Sequence, residues 1–320
     1  MVDRQPNLFV DKKSNKVIGG RFMKKILITG GAGFIGVHLA QRFATLGYHT
    51  TLVDNLRRGV LDSELESLLQ RPEIEFAQIN LLEPEALSQL PDDYTHIVHL
   101  AAIIGVKHVM QSPFETLADN ISMVRNIVAF SHRQNALERF AFASTSEIHA
   151  GRLEHFDLPV PTREDVALGL SDISNPRTSY AMSKIVGESL CHYSGLPFVI
   201  FRPHNIYGPR MGQSHVIPNK LAQIYEASDG DTVEVPSADH TRTFCYIDDA
   251  VDMLVEMIFN PACANQTFNL GAQSEEIKIG DLVSICAEVV GRTINLKALD
   301  ATTGSPSRRC PDMSMVTEKT

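Results

Sequence analysis

The stretch Ile26-Leu27-Ile28-Thr29-Gly30-Gly31-Ala32-Gly33-Phe34-Ile35-Gly36 decides the fold. Three apolar β-formers run into a turn with glycine at positions 30, 31, 33 and 36, and an apolar helical pattern, Ile35–Leu46, follows directly. A turn of this kind brings backbone amides and a helix N-terminus to a pyrophosphate, and its glycines let the phosphates approach closely. Glycines alone are weak evidence. Here a strand precedes them, a helix follows them, and Asp54 ends a second β-rich run 18 residues beyond Gly36. A carboxylate in that place accepts hydrogen bonds from an adenosine ribose and repels a 2′-phosphate, so the expected cofactor is NAD rather than NADP. Arg57 and Arg58 follow closely and leave a 2′-phosphate contact open.

Outward from this turn the same alternation repeats. Thr50–Asp54 precedes a helical Leu61–Gln70, Glu75–Ile79 precedes Pro84–Leu90, and Ile97–Leu100 follows. Further strands are expected at Arg139–Ser144 and Pro197–Arg202, with helices at Phe114–Gln134 and Ser179–Tyr193. Such units build an α/β fold, a Rossmann-type doubly wound parallel sheet covered on both faces. After Arg202 the rhythm loosens, with turn-rich Tyr207–Gln213 and Ser228–Asp231 and a helical Asp248–Phe259, which points to a smaller C-terminal substrate-binding lobe. The expected division is an extension over 1–22, a dinucleotide-binding domain over 23–205 to which 236–258 return, and a lobe from 206–235 and 259–320.

At 320 residues and 43% hydrophobic, the chain can bury a large core. The formal net charge of −9 argues against a nucleic-acid or anionic-membrane partner, while a local basic pocket for a phosphate is compatible with it. The five cysteines, Cys191, Cys245, Cys263, Cys286 and Cys310, are scattered and never form a CxxC pair. They read as reduced thiols of a cytoplasmic protein, with no disulfide framework and no metal site. The best apolar run, around Ile97–Val106, holds His99 and falls well short of the roughly 18 residues a spanning helix needs. Residues 1–22 are polar and charged, lack the apolar core of a secretory signal, and read as a leader, a linker or a miscalled start.

Tyr180 and Lys184 stand at i and i+4 of the helical Ser179–Tyr193, hence on one face. There an ammonium lowers the phenol's pKa, making it a general base, and reaches a nicotinamide ribose. Ser144, Thr145 and Ser146 end a strand at the sheet edge where open α/β sites form, and supply a hydroxyl to position a reacting alcohol. A Tyr-x-x-x-Lys pair alone carries little; the glycine turn upstream gives it weight.

Together with TGGAGFIG (29–36), VDN (53–55), HLAA (99–102), ASTSE (143–147), YAMSK (180–184), RPHNIYGPR (202–210), TRTFCYIDDA (241–250) and RRCPD (308–312), the chain from Met23 to Thr320 resembles an extended short-chain dehydrogenase/reductase of the nucleotide-sugar epimerase and dehydratase branch. The resemblance implies NAD-dependent oxidation of a sugar carbon, normally C4, to a 4-keto intermediate. In that chemistry Tyr180 removes the hydroxyl proton, Thr145 hydrogen-bonds that oxygen and Lys184 orients the cofactor. The resemblance also implies cofactor contacts from Gly30, Gly33, Phe34, Ile35, Gly36, Asp54, Asn55, Asn80, Leu81, Leu100, Ala101 and Asn120. It puts Asn205, Arg242 and Arg309 on the substrate's diphosphate, a dianion that guanidinium groups suit. A homodimer through the helices near Phe114–Gln134 and Ser179–Tyr193 is implied as well.

The fate of the oxidised sugar turns on Glu147. Its carboxylate is placed to remove the C5 proton, acidified by the C4 ketone, or to assist a C5 carboxylate that leaves as carbon dioxide. Thr145-Ser146-Glu147 is similar to the triplet of UDP-glucuronate decarboxylases and of several 4,6-dehydratases, and GPRM (208–211) resembles the former. Decarboxylation or dehydration of a UDP-sugar is therefore the expected outcome. The alternative is a 4-epimerase, in which Glu147 only caps a helix or pairs with an arginine. A catalytically silent NAD sensor and a reductase that exchanges its cofactor each turnover are further readings. His149-Ala150 stand where relatives usually have Tyr-Gly, so His149 is either a packed residue or a new acid or base. Asn80-Leu81 replace an acidic-aliphatic pair at the adenine, and Asn still hydrogen-bonds the ring. The chain stops at Thr320, soon after RRCPD, so the lobe is expected to be short unless residues 1–22 or a partner subunit cover it.

Overall fold

A computed structural model describes residues 24–170, 172–301 and 307–319, so the extension expected over 1–22 lies outside the described residues. The chain runs β1 (Lys25–Thr29), α1 (Phe34–Thr45), β2 (His49–Asp54), α2 (Ser63–Leu68), β3 (Ile74–Gln78), β4 (His96–His99), α3 (Val106–Gln111), α4 (Pro113–His132) and β5 (Arg139–Ala143). It continues with α5 (Ala150–His155), α6 (Thr178–Tyr193), β6 (Phe198–Pro203), β7 (Ile206–Tyr207), α7 (Val216–Glu226), β8 (Thr232–Pro236), β9 (Thr241–Arg242), β10 (Cys245–Tyr246) and α8 (Ile247–Phe259). The last elements are β11 (Gln266–Leu270), β12 (Ile277–Lys278), α9 (Ile279–Val290), β13 (Asn295–Leu299), β14 (Arg308–Arg309) and α10 (Ser314–Lys319).

Seven strands form one sheet in the order β11-β6-β5-β4-β1-β2-β3, every neighbouring pair parallel. The order reverses between β1 and β4, which opens a crevice at their carboxyl ends, where doubly wound sheets bind ligands. The period of two along β1 divides the core. Ile26 and Ile28 face α1 and α8, packing with Val37, Phe43 and Leu254, while Leu27 faces α4 with Ile127 and Phe130. Helices cover both faces, so the central strands are buried along nearly their whole length rather than alternating between buried and exposed, as in other parallel sheets. α4 and α6 lie side by side on one face, the pair that the resemblance makes the dimer face.

The lobe has its own small core, with Ile224 of α7, Val233 and Val235 of β8 and Val283 of α9. Two features differ from the sequence reading. Pro84–Gln89 is a 3₁₀ turn rather than an α-helix. The seventh sheet strand, β11, falls within 259–320, a stretch expected to belong to the lobe. It is only five residues long, and its buried Asn269 breaks the apolar signal that marks its neighbours. Among the described residues no helix is long and apolar enough to cross a membrane.

Candidate active site

The first half of the site is a backbone cradle at the end of β1. Gly30 takes φ +72°, and a Cβ there would lie 2.8 Å from the Ala101 amide nitrogen. A Cβ on Gly36 would lie 2.5 Å from the Gly30 carbonyl oxygen, so the first turn of α1 packs directly on the turn. Gly33 is the N-cap of α1 and brings no side-chain cap, which leaves the helix's first amides for a ligand. Asp54 sits at the carboxyl end of β2. Its Oδ2 accepts the Ala32 amide at 3.2 Å and its Oδ1 the Leu56 amide at 2.8 Å, and each oxygen keeps a lone pair for a ribose hydroxyl. These residues fit a dinucleotide: an uncapped helix end for the pyrophosphate and an oriented carboxylate for the ribose.

Around this cradle the expected cofactor residues divide into walls and braces. Phe34 and Ile35 are half-buried against the core, and the Leu100 and Ala101 amides donate to the Thr29 carbonyl and hydroxyl at 3.0 and 3.4 Å. Asn55 accepts the Arg57 amide at 3.0 Å, which shapes the following loop. Asn80 donates to Glu83 at 3.0 Å, and the carbonyl of buried Leu81 accepts from Asn126 at 2.8 Å. Asn120 accepts from the Ile103 amide at 2.7 Å and donates to the Ile103 carbonyl and the Ser183 hydroxyl at 3.1 and 3.2 Å, so it ties α4 to α6 and to the loop after β4.

Two arginines outside the expected set span this half. Arg58 donates to the Ile104 carbonyl at 3.1 Å, crossing from the loop after β2 to the loop after β4, over the carboxyl end of β1. Arg210 pairs with Asp62, the N-cap of α2, and donates to the Ala32 carbonyl at 3.2 Å.

The residues expected to be catalytic lie on the other side of the crevice. β5 ends at Ala143, and Thr145 then caps a 3₁₀ turn (Ser146–His149) by accepting the Glu147 amide at 3.2 Å. α6 carries Tyr180, Lys184 and Glu188 at successive i+4 steps, on one face. Thr145 lies near enough to the Tyr180 hydroxyl to favour its ionised form. Burial raises its pKa above the ordinary phenol range and the nearby Glu147 adds to this, while Thr145 and the Arg58 guanidinium oppose them. Lys184, expected to depress the phenol, is occupied differently. Its ammonium is buried, donates to the Ala143 carbonyl at 2.8 Å and lies 5.9 Å from the Tyr180 ring centre. Burial brings it down to about 8. A desolvated ammonium needs an acceptor, and the strand-end carbonyl is in reach.

A cavity of about 540 Å³ opens beyond these groups, with Glu147, His149, Arg177, His204 and Arg309 in its wall. β14 runs parallel to β9 in a register that sets Arg309 beside Arg242. Burial brings Arg242 down to about 10 and the charge of Arg309 adds to this. Arg309 is itself lowered by burial, with Glu147 opposing and Arg177 reinforcing. Guanidinium groups crowded in this way suit an anion. Asn205, in a left-handed turn at φ 43°, donates to the Thr243 carbonyl at 2.9 Å and so braces the segment that carries Arg242 rather than lining the cavity. Sequence reasoning missed His204, Arg177 and Arg210; the first and last lie in the RPHNIYGPR run, but nothing there marks one residue over another. A second depression, between Met253 and Val316, carries none of the side chains expected to be catalytic.

The model of the NAD dependent epimerase/dehydratase family matches residues 26–271. The chain belongs to this family. Within it, a UDP-N-acetyl-alpha-D-glucosaminuronate decarboxylase of Bacillus cytotoxicus is 34% identical over 259 residues, 79% of this chain and 76% of that protein. A UDP-glucuronic acid decarboxylase of Arabidopsis thaliana is 29% identical over 94% of this chain and 66% of its own longer length. Among solved structures, a Bacillus cereus UDP-glucuronic acid 4-epimerase in complex with UDP-glucuronic acid and NAD superposes with TM-score 0.79 at 26% identity, covering 92% of each chain. The cofactor of this NAD-dependent family is the one the cradle fits.

Proposed function

We propose that this member of the family oxidises C4 of a UDP-sugar to a 4-keto intermediate and then expels carbon dioxide or water with the help of Glu147. The observation that carries the reading is the placement of Glu147, whose carboxylate acts on both Tyr180 and Arg309 and lies in the cavity wall. When bound, NAD supplies the acceptor for the C4 hydride. Thr145 holds the C4 hydroxyl, and Tyr180 takes its proton as the phenolate, after losing its own proton to solvent, an ionisation that burial and Glu147 oppose and Thr145 and Arg58 favour. Lys184 keeps two donors beyond the one on Ala143 and turns them to the nicotinamide ribose. Arg242 and Arg309 hold the diphosphate. With the ketone formed, Glu147 takes the C5 proton and the C6–O bond breaks, the hydroxyl leaving with a proton as water; or Glu147 attends a C5 carboxylate as the C5–C6 bond breaks, its electron pair passes to the C4 oxygen, and C5 then gains a proton. The decarboxylase names among the relatives support the second course.

A 4-epimerase is the second reading, favoured by the Bacillus cereus 4-epimerase structure and by the nearness of Arg309, which makes Glu147 a plain counter-ion.

Incubation with NAD and UDP-glucuronate, UDP-glucose or UDP-N-acetylglucosamine, read by mass spectrometry and NMR, separates the two. Loss of carbon dioxide from UDP-glucuronate is expected, falling about 100-fold or more in Glu147→Gln and vanishing in Tyr180→Phe. An isobaric product inverted at C4 would replace this reading with the epimerase.

A further inference from the structure

His149 is 3% exposed and lines the cavity, and among the described residues neither Nδ1 nor Nε2, each itself buried, has a hydrogen-bond partner. A buried ring with both nitrogens idle is costly, and a packed core position is filled better by an apolar side chain. No hydrogen bond fixes the ring about its Cβ–Cγ bond, so a half-turn exchanges its nitrogen and carbon edges at the wall.

Its neighbour His204 is in the opposite condition. His204 Nε2 lies 3.1 Å from Asn269 Oδ1, and Asn269 spends its amide hydrogens on the Thr162 and Asp312 carbonyls at 2.9 and 3.0 Å. The Asn269 oxygen must therefore accept, so His204 Nε2 carries the hydrogen and His204 Nδ1 is a bare acceptor. That nitrogen is also without a partner. The two rings are close enough for a charge on His149 to disfavour one on His204.

We propose that His149 is a sugar-recognition residue that donates one N–H toward His204 and presents its other nitrogen, an acceptor, to a hydroxyl of the sugar in the cavity. The inference rests on the reading of this cavity as the nucleotide-sugar site. A hydroxyl can donate to such a nitrogen, whereas a carboxylate or phosphate brings acceptors only. The cavity thus divides its labour: Arg309, with Arg242 beside it, for the anionic end, His149 for a neutral ring. Burial, reinforced by Arg202 and Arg309 and opposed by Glu188, brings His149 down to about 4, so the ring is neutral at pH 7.

The test uses the full chain loaded with NAD, with UDP, UDP-glucose and UDP-glucuronate titrated into wild type, His149→Phe and His149→Gln by calorimetry at pH 7.5, beside thermal melts. His149→Phe is expected to weaken the better-bound UDP-sugar about tenfold, to leave UDP affinity within about twofold, and to melt no lower than wild type. His149→Gln, which keeps an acceptor, should recover part of the sugar affinity. Equal weakening for UDP and UDP-sugar, unchanged sugar affinity, or a lower melt with both affinities reduced would overturn the proposal. Failure of wild type to bind UDP at all would remove the nucleotide-sugar reading itself, and the proposal with it.

Discussion

At the carboxyl end of β1 the site is made of backbone. Gly30 sits against the Ala101 amide, the first turn of α1 packs on the Gly30 carbonyl, and the Asp54 carboxylate already holds two amides. Beyond it the material is side chains brought from far apart in sequence: Glu147, His149 and Arg309 in the cavity wall, Tyr180 and Lys184 on α6, and Arg242 on the strand paired with that of Arg309. The cradle is close-packed, its helix-end amides are left for a ligand, and its idle side-chain atoms, His99 Nε2 and Arg210 Nε, lie at its margin. The cavity keeps idle nitrogens and crowded guanidinium groups. A half that holds the same cofactor in every turnover can be sealed, whereas a half that reads a substrate must hold polar groups in reserve, at a cost in stability.

Substitution should expose this contrast with opposite signs. Gly36→Ala drives a methyl to within 2.5 Å of the Gly30 carbonyl and 2.9 Å of the Gly31 Cα, both backbone atoms that can yield only by opening the turn. The expected result is a loss of about 1–3 kcal/mol of stability, read by denaturant unfolding, and an NAD affinity at least about tenfold weaker, read by fluorescence titration. His149→Phe should leave stability equal or higher while weakening only the sugar. Should Gly36→Ala be neutral in both measurements, the cradle is looser than its packing implies and the comparison fails.

The same contrast explains which parts were legible in the sequence. The cradle is local: a strand, four glycines and a carboxylate lie within one βαβ unit, so the fold and the NAD half can be read from Ile26 to Asp54. Tyr180 and Lys184 were legible because one helix sets their spacing, although the acceptor that holds the ammonium, Ala143, comes from another strand. The register that sets Arg309 beside Arg242 joins segments 67 residues apart, and no periodicity announces two-residue strands. β11 was hidden because a five-residue strand with a buried polar residue carries too little pattern. The burial of His149 was invisible, since a lone histidine after a strand has the same sequence signature packed or exposed.

Acid should find the buried histidines in both halves. Burial holds His99, which shares a hydrogen bond with Thr29 under the cradle, at about 3, His204 at about 3 and His149 at about 4. In the unfolded chain each titrates near 6.5. Between these values the unfolded state binds more protons than the folded one, so stability is full above about pH 6.5 and falls as the pH drops, each ring contributing up to about 1.4 kcal/mol per pH unit. Thermal melts from pH 7.5 to 5 should show a steep fall, with His149→Phe shallower by one ring's share. An unchanged slope in that variant would mean that His149 titrates normally and is not sealed.

Arg210 gives the smallest effect and the finest test, because it joins the two halves. It reaches from the GPR turn before the lobe to Asp62 at the head of α2 and to the Ala32 carbonyl inside the cradle, and its own backbone stands at φ 66°, where a side chain is disfavoured unless its contacts hold it. Arg210→Ala removes these bonds without touching any glycine. NAD affinity should fall about threefold to tenfold, the weight of one or two charge-assisted hydrogen bonds partly open to water, with UDP affinity of the NAD-loaded protein unchanged. If UDP affinity falls in step, the arginine transmits cofactor binding to the cavity, and the halves are one coupled site rather than two built to different rules.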